Sequence, residues 1–251
     1  MFGQNQRVKQ KLGDGLELQV KEIFPTIQGE GHLAGTPCVF LRLAGCNLAC
    51  WFCDTDFENG QGMALDDVLT NILAVFDEGG DRLDNLVVLT GGEPFVQNVV
   101  PLIRQLNGAG LRVQVETAGV LWMPGLEELF EPARDYKPQA LTSNSIVCSP
   151  KTGKLNEHIV PYITTWKYVI KEGETANEDG LPVGSSQVQG QENLLARPHA
   201  TVMKRAVFVQ PCDEHDAEKN AVNAAEALRV ALKYGYRLSV QIHKLECVNV
   251  P

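Results

Sequence analysis

The chain has 251 residues, 44% hydrophobic and 21% charged, which is enough for one sizeable core and a length that α/β barrels occupy as a single domain. Its formal net charge of -9 argues against a nucleic-acid backbone as the main partner, because phosphate binding needs clustered Lys and Arg. No stretch approaches the roughly 18 apolar residues of a membrane span, so no membrane partner is expected.

Residues 1–15 form a polar extension of mixed charge without the apolar segment of a signal peptide. Seven cysteines, an odd number without an export signal, then point to a reducing cytoplasm rather than a disulfide framework. Strands rich in Val, Ile and Leu are expected at Leu16–Ile23 and Cys38–Leu43. Directly after the second comes Cys46-Asn-Leu-Ala-Cys50-Trp-Phe-Cys53, with three and then two residues between the cysteines. Leu65, Val68, Leu69, Ile72, Leu73 and Phe76 share one helical stripe closed by Gly79 and Gly80.

A strand at Leu86–Thr90 runs into Gly91-Gly92-Glu93-Pro94, and Val100, Ile103 and Leu106 mark a second helix before Gly108. Further strands are expected at Arg112–Glu116, Ile146–Ser149, Thr165–Ile170, Ala206–Val209 and Arg237–Gln241. A third helix over Ala217–Tyr234 places Val222, Ala225, Leu228 and Leu232 at helical spacing before Gly235. Residues 171–203 form a long polar insertion broken by glycines, which reads as a flexible surface excursion. Strands alternating with helices imply βα units: an α/β fold with a mainly parallel sheet, about six core strands and a partly open (β/α) barrel.

Three thiolates are one too few for a closed metal site. A cubane cluster that only carries electrons takes four cysteines, and a structural zinc site likewise wants a fourth ligand. With three, one iron keeps an open position. A zinc site completed by His32 or Cys38 is the competing reading, while Cys38, Cys148, Cys212 and Cys247 otherwise read as buried small hydrophobes. The cysteine loop sits at the C-terminal end of a strand, where active sites of parallel α/β folds lie. Alone, Gly-Gly-Glu-Pro is a turn. One βα unit after the cysteines, its glycines permit close backbone approach and its carboxylate can accept protons. Polar residues also end later strands: Glu116, Ser149-Pro150-Lys151 and Gln210-Pro211-Cys212-Asp213. Each could be a loop start or a cap, but on one rim they suggest a lined cavity.

The CxxxCxxC pattern with Phe52 before its last cysteine, together with Gly-Gly-Glu-Pro, resembles the radical S-adenosylmethionine superfamily. That resemblance implies a 4Fe-4S cluster on Cys46, Cys50 and Cys53, and S-adenosylmethionine chelated at the open iron and cleaved to a 5′-deoxyadenosyl radical. Phe24-Pro-Thr-Ile27-Gln28-Gly29-Glu30-Gly31, Phe40-Leu-Arg42, Cys53-Asp54-Thr55 and Gln241-Ile-His243-Lys244 narrow the likeness. They resemble the 7-carboxy-7-deazaguanine synthase family, radical lyases of the queuosine and 7-deazapurine route. Such enzymes convert 6-carboxy-5,6,7,8-tetrahydropterin to 7-carboxy-7-deazaguanine and ammonia.

The resemblance implies Mg2+ at Thr55, and S-adenosylmethionine against Phe52, Cys53, Asp54, Gly91, Gly92, Glu93, Glu116, Ser149, Pro150, Lys151, Gln210, Pro211, Cys212 and Asp213. It implies substrate against Ile27, Gln28, Gly29, Glu30, Arg42, Thr90, His243 and the terminal carboxylate of Pro251. It also implies a homodimer and a flavodoxin or ferredoxin-type electron donor. Read from the residues, Arg42 is a rigid fork suited to a carboxylate, or else a partly buried ion pair; Thr55 is a helix cap or turn residue. Two other readings remain: a radical-activating enzyme acting on a protein glycyl site, and a non-catalytic iron–sulfur or zinc redox sensor.

Overall fold

The computed structural model describes residues 6–53, 55–133, 144–184, 186–187, 195–200, 202 and 204–242. Its strands are β1 (Glu17–Ile27), β2 (Pro37–Leu43), β3 (Gln61–Ala64), β4 (Leu86–Gly91), β5 (Arg112–Thr117), β6 (Ser145–Cys148), β7 (Ile163–Ile170), β8 (Val207–Pro211) and β9 (Arg237–Leu238). They form one sheet in the order β3-β1-β2-β4-β5-β6-β7-β8-β9. β1 runs antiparallel to β2 and β3, and all the later neighbours are parallel. Among the described residues β3 and β9 do not pair with each other, so the sheet stays open. This is the mainly parallel, partly open architecture expected.

β1 is longer than the alternating run suggests because it continues through Pro25. Beyond Val20 its outer edge carries no strand partner among the described residues, so a residue without an N–H costs no ladder bond there. β3 has no counterpart among the expected strands. It is a short, mostly exposed edge with two polar or glycine positions ahead of Met63 and no apolar run to mark it.

The α-helices are α1 (Leu65–Gly79), α2 (Val100–Gly108) and α3 (Ala217–Tyr234). α1 buries Leu65, Val68 and Ile72 against the sheet, carries Asp66 and Asp67 in its first turn, and ends before Gly80. On α3 Asp216 caps the first turn by accepting from the backbone N–H groups of Glu218 and Lys219. Its buried face is Asn223, Ala227, Val230 and Ala231, not the expected stripe: Val222 is 50%, Leu228 47% and Leu232 77% exposed. On that face Asn223 donates to the Cys212 carbonyl at 3.0 Å while Ala227, Val230 and Ala231 pack into the core. The strict βα alternation also breaks down between β5 and β8, where 3-10 turns replace α-helices among the described residues.

One face of the sheet builds the main core with the helices, through Leu41, Leu89, Ile103, Val115, Ile146 and Tyr168. The other face holds a small cluster of Leu33, Cys38, Phe40, Leu86 and Val88. Cys38, Cys148 and Cys212 are buried free thiols, as their reading as small hydrophobes requires. Asp54, His243, Lys244, Cys247 and Pro251 lie outside the described residues.

Candidate active site

Side chains alternate between sheet faces, so each parallel strand presents an inner row ending at its C-terminus. β2 presents Cys38, Phe40 and Arg42; β4 presents Leu86, Val88 and Thr90; β5 presents Arg112, Gln114 and Glu116; β7 presents Thr165, Lys167 and Val169. The register sets Arg42 beside Thr90 and Glu116 beside Val147. These row ends meet around a cavity of about 320 Å³. Its walls draw on β2 and β4 to β8 together with Gln28 and Glu30 after β1 and Gln241 after β9, which requires the sheet to curl around it.

Cys46, Cys50 and Cys53 face this cavity, with Phe52 and Thr55 beside them. Gly91 and Gly92 line it too, but their small size has a second cause. A Cβ on Gly91 would lie 2.1 Å from the Leu43 carbonyl oxygen, and one on Gly92 2.2 Å from that of Gly45. The two loops are sutured by Gly92 N–H to Leu43 O at 3.3 Å and Glu93 N–H to Gly45 O at 3.0 Å. Only glycine lets the end of β4 approach the cysteine loop this closely.

Gln28, Glu30, Arg42, Thr90, Glu116, Ser149, Lys151, Gln210, Pro211 and Asp213 complete the set of expected residues that converge on the cavity. Gln28 and Glu30 arrive on the turn after β1, where Gly31 at φ +70 sits so near Val147 that a Cβ would be 2.9 Å from its Cγ2. The Gln28 side chain accepts from Glu30 N–H at 2.9 Å and donates to Gln114 and, at 3.1 Å, to Glu116 Oε1. Thr90 Oγ1 donates to Glu116 Oε2 at 2.8 Å. Burial first, and then the Glu30 charge, push the Glu116 carboxyl above its usual range. Burial lowers the Lys151 ammonium, which donates to Ser149 and lies over the Phe52 ring at 5.9 Å. Arg42 pairs with Glu22 at 2.5 Å, so the ion-pair reading holds while the residue still faces the cavity.

Several expected residues are placed elsewhere. Ile27 ends β1 and Gly29 sits in the turn, neither on the cavity wall. Glu93 is buried, accepting from Phe95 N–H at 3.2 Å, Ala118 N–H at 2.8 Å and the Thr117 hydroxyl at 2.7 Å. Its carboxylate braces two loops and does not open onto the cavity. Pro150 and Cys212 line a small neighbouring cleft of about 30 Å³.

Lys167 joins the site without a clear mark in the sequence, pairing with Glu30 Oε2, while Gln241 of the Gln-Ile-His-Lys stretch donates through Nε2 to Glu30 Oε1 at 3.1 Å. The one signal for Lys167 is a single cation inside an otherwise uncharged strand. Ser186 and Gln187 belong to the polar insertion yet touch the cysteine loop: Trp51 N–H donates to Ser186 O at 3.0 Å. Those described residues are therefore packed on the site and are not a surface excursion.

The thiols of Cys46, Cys50 and Cys53 form a soft donor set suited to iron–sulfur chemistry. Among the described residues no three His, Cys, Asp or Glu side chains converge on one point for a single ion. His32 does not complete a zinc site: its Nδ1 lies 2.9 Å from Thr165 Oγ1, and burial lowers it to about 4, a neutral ring engaged on the inner face. Burial pushes the Cys46 thiol up to about 12, so it keeps its proton until a metal replaces it. Gln210 adds a buried Oε1 without a hydrogen-bond partner among the described residues, an unused acceptor on the cavity wall that fits a ligand bearing donors.

Residues 41–187 match the model of the Radical SAM superfamily, a span that contains all three cysteines and both glycine-bearing loops. The chain is 46% identical over 98% of its length to a 7-carboxy-7-deazaguanine synthase of Rhodospirillum rubrum, covering 98% of that protein. It is 36% identical over 97% of its length to another of that name from Rickettsia prowazekii, covering 94% of it. A crystal structure of QueE from Escherichia coli superposes with a TM-score of 0.56 at 19% identity, over 90% of this chain and 94% of that one, which supports the fold. Motif, cavity and full-length similarity agree, and the chain belongs to the 7-carboxy-7-deazaguanine synthase family of the radical SAM superfamily.

Proposed function

We propose that the protein is a radical S-adenosylmethionine lyase that converts 6-carboxy-5,6,7,8-tetrahydropterin to 7-carboxy-7-deazaguanine and ammonia, in 7-deazapurine and queuosine biosynthesis. The observation that carries this reading is that three cluster-type thiols and the polar set Gln28, Glu30, Arg42, Thr90 and Glu116 share one cavity. A volume of about 320 Å³ suits small molecules, whereas a glycyl-site activating enzyme needs a groove for a protein segment.

Cys46, Cys50 and Cys53 would hold the 4Fe-4S cluster, with S-adenosylmethionine against Phe52, Gly91, Gly92, Ser149, Lys151, Gln210 and Asp213. When bound, that pair supplies the one-electron cleavage that starts the ring contraction. The chain's own residues do the selecting. Arg42 offers a planar fork to the pterin carboxylate. Glu30, held by Lys167 and Gln241, and Gln28 present acceptors and donors to the pterin edge. Glu116, with its raised carboxyl, is placed to hold a proton next to Thr90. The loops and apolar side chains Leu48, Phe57 and Phe40 exclude water from the reacting space.

Thr55 on the cavity wall would give Mg2+ one protein oxygen, the rest coming from substrate and water, as a hard cation accepts. The reading includes a homodimer, supported by the exposed apolar residues of α3, and a flavodoxin or ferredoxin-type donor. It places the enzyme in the cytoplasm; no helix among the described residues is long and apolar enough to cross a membrane. The test is anaerobic reconstitution with iron and sulfide, then incubation with reductant, S-adenosylmethionine, Mg2+ and the carboxytetrahydropterin. Mass spectrometry should find 7-carboxy-7-deazaguanine; cofactor cleavage without conversion of the pterin would refute the substrate assignment.

A further inference from the structure

Cys50 is met by side chains from the polar insertion, far away in sequence. Gln187 Nε2 lies 3.2 Å from Cys50 Sγ, and Ser186 Oγ lies 3.2 Å from the same sulfur. The orientation of the Gln187 amide is fixed from its other end. Its Oε1 accepts from Ala49 N–H at 3.0 Å and from the Arg7 guanidinium at 3.4 Å. Both of those groups can only donate, so the carbonyl must face them and the NH2 must face the sulfur. The second Nε2 hydrogen goes to Ser186 Oγ at 3.0 Å. Ser186 is itself 2% exposed and anchored through Ser186 N–H to Lys151 O at 3.3 Å and Ser186 Oγ to the same carbonyl at 3.1 Å. Gln187 therefore bridges the insertion, the N-terminal extension and the cysteine loop, with a preset N–H aimed at one ligand sulfur.

We propose that Gln187 is a positioning residue that raises the reduction potential of the cluster by hydrogen-bonding the sulfur of Cys50. The physical ground is electrostatic. Reduction adds one electron and hence negative charge to the cluster and its thiolates, and an N–H dipole aimed at a sulfur stabilises the reduced form more than the oxidised one. The electron comes from the low-potential one-electron donor required by the proposed activity; no bond is made or broken at Gln187. The inference rests on the assignment of Cys46, Cys50 and Cys53 as cluster ligands. Part of the polar insertion thereby helps to set how readily the cluster accepts its electron.

The test is the midpoint potential of the reconstituted cluster, followed by electron paramagnetic resonance during an anaerobic redox titration, in the wild type and in Gln187→Met. Methionine keeps the length and removes the donor. The expected result is full cluster loading with a more negative potential, about a tenfold shift in the one-electron reduction equilibrium or about 59 mV. An unchanged potential in a fully loaded variant overturns the proposal while leaving the enzyme assignment intact. Should Gln187→Met fail to assemble a cluster, Gln187→Asn replaces it: one methylene shorter, it withdraws the N–H from the sulfur, so a shift in the same direction is expected and no shift counts against the proposal. A wild type that assembles no 4Fe-4S cluster overturns the enzyme assignment and this inference together.

Discussion

Lys167 and Glu30, 137 residues apart in the chain, form an ion pair on the cavity wall in which the two side chains are only 12% and 8% exposed. Removing Lys167 leaves the buried Glu30 carboxylate without its cation, the neutral Gln241 amide still donating to it. Lys167→Met is expected to lower unfolding free energy by about 3 kcal/mol in urea titrations. Glu30→Gln in the same chain should restore most of the loss, because a neutral amide no longer needs the ammonium. If the double variant is as unstable as the single one, the pair is not the cause. Neither variant should bind the pterin like the wild type, since both alter the Glu30 surface offered to it.

Glu116 gives a pH prediction. Burial raises its folded-state pKa above the ordinary 4.5, so the native state holds the proton more tightly than the unfolded chain. The stabilisation this gives is fully present below about 4.5 and is lost as pH rises through the folded-state value. Glu116→Gln removes the titration. Its melting temperature relative to the wild type should therefore climb as pH is raised from about 4.5 towards neutrality. A difference that stays constant over that window would contradict the assignment.

These two carboxylates show what the sequence can and cannot convey. Glu116 is visible as a polar residue closing an apolar run, because strand ends can be read locally, whereas Glu30 enters only through the resemblance of the Gln28-Gly29-Glu30 stretch. Their partners are not visible. Lys167 meets Glu30 only because β7 and the turn after β1 face one another across a curled sheet. Gln187 meets Cys50 through the least patterned part of the chain. Glu93 is legible as a motif, yet its carboxylate turns to Thr117 and Ala118, whose position depends on β5. The glycine after α3 marks its end correctly, but its apolar spacing misstates its rotation: the buried face is Asn223, Ala227, Val230 and Ala231.

Arg42 tests recognition of the carboxylate. Lysine keeps the charge but loses the planar fork, so Arg42→Lys should raise KM for the carboxytetrahydropterin by about tenfold, with a smaller change in kcat. The same variant should barely affect a pterin lacking the carboxylate. Equal losses on both substrates, measured by steady-state kinetics, would assign Arg42 a purely structural role through its pairing with Glu22.

Thr55 tests the metal proposal. Thr55→Ala should lower the apparent affinity for Mg2+ in product formation at least about tenfold, in line with losses seen when groups supporting a metal are removed. Excess Mg2+ should recover part of the rate. An unchanged Mg2+ titration would remove Thr55 from the metal site.

The central claim is that the vacancy left by only three cysteines serves turnover of the carboxytetrahydropterin in the cavity beside them. The most direct measurement is the mass-spectrometric yield of 7-carboxy-7-deazaguanine from anaerobically reconstituted wild type and Cys50→Ala, each given reductant, S-adenosylmethionine, Mg2+ and the pterin. The wild type should form product over many turnovers, and Cys50→Ala should form none while retaining its fold by circular dichroism. Product from Cys50→Ala at the wild-type rate, or none from a wild type carrying its full 4Fe-4S complement, would contradict it.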